Sequence, residues 1–382
     1  MDDILNQYLT TRQYTNTLCK PLQTEDFTPQ SAAFASPPKW HIAHTTWFFE
    51  EMILKTYSPN YQIFDNEYSY LFNSYYNTIG KRIERHNRGL ITRPNIDIVF
   101  KYRDYVDQHM TQLLKTTDNE TVKSLTVLGV NHEQQHQELL LTDLKYTFSL
   151  NPICPKYTDL NFVEDTNTDT GWLDVAEGVY NIGHDTDGFC FDNELGMHKT
   201  YIQPFSINKA LVTNQEFIEF IEADGYKTAN YWLDEGWHWI NSNKITQPLY
   251  WIKIKNTWHH YTLSGLKPVN PDAILSHISY FEAAAFAFYK GMRLPTEFEW
   301  EVASKHLNWG KRWEWTNSAY LPYPNFEIAK GAVGEYNGKF MSNQMVLRGA
   351  SVATSKNHSR HTYRNFFQSH TQWQFAGIRL AK

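Results

Sequence analysis

Leu125-Thr126-Val127-Leu128-Gly129-Val130-Asn131-His132-Glu133-Gln134-Gln135-His136-Gln137-Glu138-Leu139 is the stretch from which the first half of the chain can be read. Leu125, Leu128, His132, Gln135, His136 and Leu139 recur at helical spacings, which predicts a helix with one face toward a core. Two histidines four residues apart lie on the same face, so a single metal ion can reach both imidazoles. Gln134, Gln135 and Gln137 make this turn unusually polar, and a purely structural helix gains nothing from them.

Upstream, Ile96, Val99, Tyr102, Val106, Met110, Leu113 and Leu114 form a second stripe and predict a second helix. Trp40 to Lys55 reads as a third, entered through Pro37-Pro38, and the N-terminal stretch as a fourth. Residues 1–150 are thus expected to form an antiparallel helical bundle, which builds metal sites from inward side chains on facing helices. Downstream, Pro152, Pro155 and the polar run Glu164-Asp165-Thr166-Asn167-Thr168-Asp169-Thr170 read as a linker over 151–171.

From 172 to 382 the pattern changes to short strands, Gly and Pro turns and a few helices, a mixed α and β domain. Thr213 with Glu216, Ser279 with Glu282, and Thr296 with Glu299 are capping boxes, and Gly291 is a helix stop. The chain is 16% aromatic with 13 tryptophans, many of them after residue 170, which predicts a core of short elements pinned by large rings.

A length of 382 residues favours two domains. No run approaches the roughly 18 apolar residues of a membrane helix. The stretch Met1-Asp2-Asp3-Ile4-Leu5-Asn6-Gln7 has no apolar signal core, so export is not expected. Three scattered cysteines, Cys19, Cys154 and Cys190, suit a reducing cytoplasm. A formal net charge of −6 without a basic stretch argues against a nucleic-acid partner.

Taken alone, the His-Glu-x-x-His spacing suggests a zinc protease with Glu133 as general base. Other motifs point elsewhere. Trp40-His41-Ile42-Ala43-His44-Thr45-Thr46-Trp47-Phe48-Phe49-Glu50, followed by the HEQQH segment, resembles the DinB-like domain of the ergothioneine-pathway sulfoxide synthases, or hercynine oxygenases. The second half resembles the formylglycine-generating-enzyme fold, related to C-type lectins, that accompanies it. The similar stretches are Gly188-Phe189-Cys190-Phe191-Asp192-Asn193-Glu194, Gly291-Met292-Arg293-Leu294-Pro295-Thr296-Glu297 and Trp313-Glu314-Trp315-Thr316, then Arg364-Asn365-Phe366-Phe367 and Trp373-Gln374-Phe375-Ala376-Gly377-Ile378-Arg379-Leu380.

The resemblance covers nearly the whole chain and implies an α+β protein: a DinB-like four-helix bundle, then a formylglycine-generating-enzyme-like domain. It implies His44, His132 and His136 as Fe(II) ligands, a set that leaves open coordination positions for substrate and oxygen. His41, three residues before His44, is the rival ligand; His44 holds the family position, which leaves His41 a supporting role. Glu133 lies off the histidine face and reads as a hydrogen-bonded or solvated carboxylate.

The family couples hercynine, trimethyl-histidine, to a thiol with O2. Asn365, Phe366 and Phe367 match its hercynine-binding segment, and Gln135 matches a substrate-contacting position. Tyr75-Tyr76 resembles the tandem tyrosines of the branch that accepts cysteine rather than γ-glutamylcysteine, and implies a proton donor near the iron. Arg82, Arg85, Arg88 and Arg93 are candidates to pair with substrate carboxylates. The rival readings are a histidine C5 synthase of the ovothiol route, a selenium-transferring homologue, and a small-molecule-binding module with a structural metal.

Overall fold

The computed structural model describes residues 2–74, 76, 80–159, 165–185, 187–328 and 337–382. Two compact units emerge. The first runs to Tyr157 and takes in Ala353–His358; the second begins at Thr158. The expected linker falls partly on 160–164, which lie outside the described residues.

The first unit is helical. It comprises α1 (Asp2–Cys19), α2 (Pro38–Phe49), α3 (Lys55–Tyr57), α4 (Tyr68–Phe72), α5 (Ile96–Thr116) and α6 (Glu120–Ser149). Pro38 opens α2, where a missing N–H costs nothing. The Asn95 side chain caps α5 and the Asn119 side chain caps α6, each accepting free backbone N–H groups of the first turn. Between α2 and α3 the chain makes a π-helical turn, Glu50–Leu54. The four long helices α1, α2, α5 and α6 pack together as a bundle, and α2 is buried along its entire length. The α5 stripe is as expected except at Leu113, which is half-buried: Ile96, Val99, Tyr102, Val106, Met110 and Leu114 are buried.

The face of α6 is rotated from the one the leucines suggested. Leu125, Leu128 and Leu139 are half-buried, whereas Val122, Thr126, Gly129, Glu133, Gln137, Leu140 and Leu144 form the deepest stripe. A carboxylate can lie on that stripe only because it is neutralised there. Glu133, 0% exposed, accepts from Arg12 Nη1 at 2.7 Å, Arg103 Nη2 at 2.6 Å and Thr15 Oγ1 at 2.5 Å. Burial alone would raise its pKa, but Arg103 and Arg12 bring it down to about 2. Arg12 also reaches Asp107 on α5 and Thr46 on α2, so one carboxylate cluster ties all four helices together.

Gly129 marks the closest approach of α6 to α2. A Cβ there would fall 2.5 Å from Phe49 Cε1 and 2.8 Å from Phe48 Cε1. Gly129→Ala gains about 1 kcal/mol of helix propensity, but overpacking rings costs about 1–3 kcal/mol. With two buried rings in the way, the second effect is expected to prevail, and thermal unfolding should show a lower midpoint for the variant.

The second unit is built from small sheets. β1 (Trp172–Val175) pairs with β4 (Phe205–Asn208), and β2 (Gly178–Ile182) with β3 (His198–Ile202). β5 (Trp251–Ile254), β6 (Thr257–Thr262) and β7 (Gly265–Pro268) form a three-stranded antiparallel sheet. The largest sheet has the order β10 (Asn365–Phe367), β9 (Met345–Gly349), β8 (Trp313–Ala319), β11 (Ala376–Gly377), with β11 parallel to β8.

Among the described residues the helices α7 (Asn214–Glu222), α8 (Asp234–Asn243), α9 (Tyr280–Tyr289) and α10 (Glu297–Ala303) accompany the sheets. The capping boxes open α7, α9 and α10, and Gly291, at φ +65°, follows α9. Such short elements bury little by themselves. Trp300, Trp313 and Trp315 fill the interior, and buried ion pairs Arg379–Glu314, Arg348–Glu301 and Arg364–Glu297 lock it. The fold is therefore α+β: an N-terminal helical domain followed by a mixed domain.

Candidate metal centre

α2 and α6 bring three imidazoles together. His44 comes from α2, and His132 and His136 from successive turns of α6; one ring nitrogen from each lies within 4.8 Å of the others. The ring centroids form a nearly equilateral triangle, 4.9, 4.8 and 4.6 Å on its sides. All three histidines are buried.

Burial pushes the pKa of His44 and of His136 well below the ordinary imidazole value, and that of His132 to about 4. At neutral pH the cluster is three uncharged rings with lone pairs to offer. This donor set, nitrogen only and with no carboxylate among the three, fits a divalent transition metal and not Mg²⁺ or Ca²⁺.

The surroundings fix the rings. His44 Nδ1 donates to the Phe72 carbonyl at 2.6 Å, which leaves Nε2 as its donor atom. Its ring is stacked with Trp40 at 4.5 Å and with Trp47 at 5.4 Å. Arg88 lies 3.3 Å over the Trp40 ring and donates to Ser36 Oγ and Ser74 Oγ, so this arginine holds the tryptophan in place. His41 is not part of the triangle. Its Nδ1 is 2.9 Å from His136 Nδ1, and its Nε2 is 3.1 Å from Asp143 Oδ2.

The glutamines of the polar turn divide. Gln137 donates to the Thr11 carbonyl and accepts from Ser355, Gln134 accepts from His358 Nδ1 at 3.1 Å, and Glu138 accepts from Thr354 at 2.7 Å. Most of that polarity therefore anchors α1 and the 353–358 segment to α6. Gln135 remains half-buried, beside His136 in sequence.

Tyr76 is buried, its ring 5.5 Å from that of Trp47 and its N–H donating to Asn73 Oδ1. Tyr75 lies outside the described residues. Asn365, Phe366 and Phe367 form β10 in the second unit. Phe366 is stacked on Tyr320 at 4.1 Å, Phe367 meets Trp373 edge-on at 5.5 Å, and Asn365 Oδ1 accepts from the Phe366 N–H.

Sequence reasoning missed Arg12 and Arg103 around Glu133, and Asp143 behind His41. Only Asp143 left a signal: it follows His136 by seven residues, two helical turns along the same face.

Comparison with known proteins adds to this geometry. Residues 7–140 match the DinB superfamily, and 159–311 match the sulfatase-modifying factor enzyme 1-like domain. A hercynine oxygenase of Mycolicibacterium thermoresistibile is 28% identical over 66% of this chain and 67% of its own. One of Mycolicibacterium smegmatis is 27% identical over 66% of this chain and 70% of its own.

The chain is a relative of the hercynine oxygenases.

A third hercynine oxygenase, from Mycobacterium tuberculosis, is matched over only 55% of its length. A formylglycine-generating enzyme of Streptomyces coelicolor is similar over a shorter stretch, 27% identical across 34% of the chain. The two domains in this order, with hercynine oxygenases matched across both, place the chain among oxygen-dependent oxidoreductases. Among the described residues no helix is long and apolar enough to cross a membrane.

Proposed function

We propose that the chain is a non-heme Fe(II)- and O2-dependent sulfoxide synthase of ergothioneine biosynthesis. It would join a thiol to the imidazole C2 of hercynine, with cysteine favoured over γ-glutamylcysteine. The observation that carries this reading is the buried group of three uncharged imidazoles, His44, His132 and His136, in a relative of the hercynine oxygenases. Fe(II) held by these three nitrogens would supply the activation of O2, which needs coordination positions that the protein leaves open. The overall reaction balances. Hercynine loses C2–H and the thiol loses S–H, a C–S bond forms, and one O2 yields the sulfoxide oxygen and one water.

The chain's own residues have distinct tasks in this proposal. Neutral imidazoles add no negative charge to the centre, which favours an anionic thiolate beside it. Gln135, Asn365, Phe366 and Phe367 are assigned to hercynine, the rings to its trimethylammonium group and the amides to its carboxylate and imidazole. Tyr76 packs on Trp47, which stacks on His44, so one ring separates its phenol from a proposed ligand. Either Tyr76 or Tyr75 would deliver the proton that favours C–S bond formation over simple thiol oxidation. The three free cysteines suit a reducing cytoplasm, where the substrate thiol also stays reduced.

Mass spectrometry after aerobic incubation with Fe(II), hercynine and either thiol tests the reading, with nuclear magnetic resonance to locate the new bond. The expected product is the C2 sulfoxide, formed faster with cysteine. Absence of a sulfoxide with both thiols would reject the proposal, and a bond at C5 would move the chain to the other branch.

A further inference from the structure

Behind the three proposed ligands lies a chain of buried polar groups to which the proposed reaction gives no task. Asp143 is 1% exposed and His41 2% exposed. Asp143 Oδ2 accepts from the Ser36 N–H at 2.8 Å and faces His41 Nε2 at 3.1 Å; His41 Nδ1 faces His136 Nδ1 at 2.9 Å.

With His136 as an Nε2 ligand, counting protons gives one assignment for the chain. A carboxylate only accepts, so His41 Nε2 carries its proton and donates to Asp143. If His136 gives its Nε2 to a metal, its one proton is on Nδ1, and His41 Nδ1, 2.9 Å away, accepts it with its lone pair. The single proton between the two Nδ1 atoms therefore belongs to His136. His44 reaches the same tautomer differently, through one bond to the backbone carbonyl of Phe72.

We propose that His41 and Asp143 are positioning residues of the metal centre. Together they hold His136 as the Nε2 donor and, through the hydrogen bond from its Nδ1–H to an imidazole backed by a carboxylate, make it a stronger donor than His44. The inference rests on the metal-binding part of the reading above, not on hercynine or the thiol. His136 Nδ1–H polarised by His41 carries more electron density to Nε2, as when a carboxylate backs a metal-bound histidine. His41 thus acts through His136 and touches neither metal nor substrate.

Two measurements without substrate test the proposal. In the wild-type protein loaded with Zn(II), long-range ¹H–¹⁵N spectra should show His136 protonated on Nδ1 and His41 on Nε2. Anaerobic titration with Fe(II), and with Co(II) followed by its visible bands, should show affinity about 10–100-fold lower in His41→Ala. Added imidazole should restore part of it. Asp143→Asn keeps an oxygen acceptor for His41 but removes the charge, and should lose less affinity than His41→Ala while shifting the Co(II) bands.

A merely structural role for His41 would lower thermal stability of the metal-free protein yet leave metal affinity and the Co(II) spectrum unchanged, and that result would overturn the proposal. So would wild-type His136 found protonated on Nε2, a reading that does not depend on any variant folding. If no sulfoxide forms with any thiol but the tautomers and affinities are as stated, the hercynine reading fails and this one stands.

Discussion

Replacing His136 by alanine should leave the protein folded but without its metal. Removing a direct donor should exceed the about 10–100-fold loss typical of a supporting contact. Fe(II) measured per chain after anaerobic loading and gel filtration should fall from near one to near zero. Oxygen-dependent turnover should fall with it, below detection. His132→Ala and His44→Ala should behave alike, because each removes one corner of a triangle whose nitrogens lie within 4.8 Å. His41→Ala should not join them, which separates the ligands from the rival three residues before His44. Retention of one Fe(II) per chain in all three alanine variants would contradict the assignment of the centre.

The second large effect concerns Glu133, and it is on stability. The carboxylate is fully buried between Arg12 and Arg103 and holds Thr15 as well. Breaking such a buried pair by removing one partner costs about 3–5 kcal/mol, because the other charges stay buried without compensation. Glu133→Gln should therefore lower the thermal midpoint of the protein by roughly 10 °C, at about 2–4 °C per kcal/mol.

The pH dependence has a definite sign. The folded pKa of Glu133, about 2, lies below its ordinary 4.5, so its stabilisation is complete above pH 4.5 and lost as pH falls from there toward 2. Acid unfolding of Glu133→Gln should accordingly be flatter across that window. A protease-type general base predicts the reverse pattern: lost turnover with an unchanged midpoint.

Much of the helical half was legible because its signals are local. Pro37-Pro38 opens α2, the Ile96–Leu114 stripe is α5, and the i, i+4 pair His132 and His136 shares one face of α6. The capping boxes were readable for the same reason: each completes itself within four residues.

What remained hidden depends on chain closure over long separations. Arg12 and Glu133 are 121 residues apart, and nothing near either one marks the other as its partner. That pairing also explains why the leucines misplaced the buried face of α6: periodicity counts apolar residues and does not foresee a neutralised carboxylate on the deepest stripe. The bonds of Thr354, Ser355 and His358 to Glu138, Gln137 and Gln134 were hidden likewise, so Gln134 and Gln137, from which a structural helix was expected to gain nothing, turn out to anchor it. His44 was the intermediate case, since its role came from resemblance and the triangle came from the fold.

The most direct test of the whole reading is simultaneous measurement of O2 uptake and sulfoxide release by the Fe(II)-loaded wild-type protein. With hercynine and cysteine both present, one O2 should disappear for each sulfoxide formed, with little uptake when either substrate is omitted. Oxygen consumed with thiol alone, at the same rate and without sulfoxide, would mean that the three-histidine centre oxidises thiols and does not join them to hercynine.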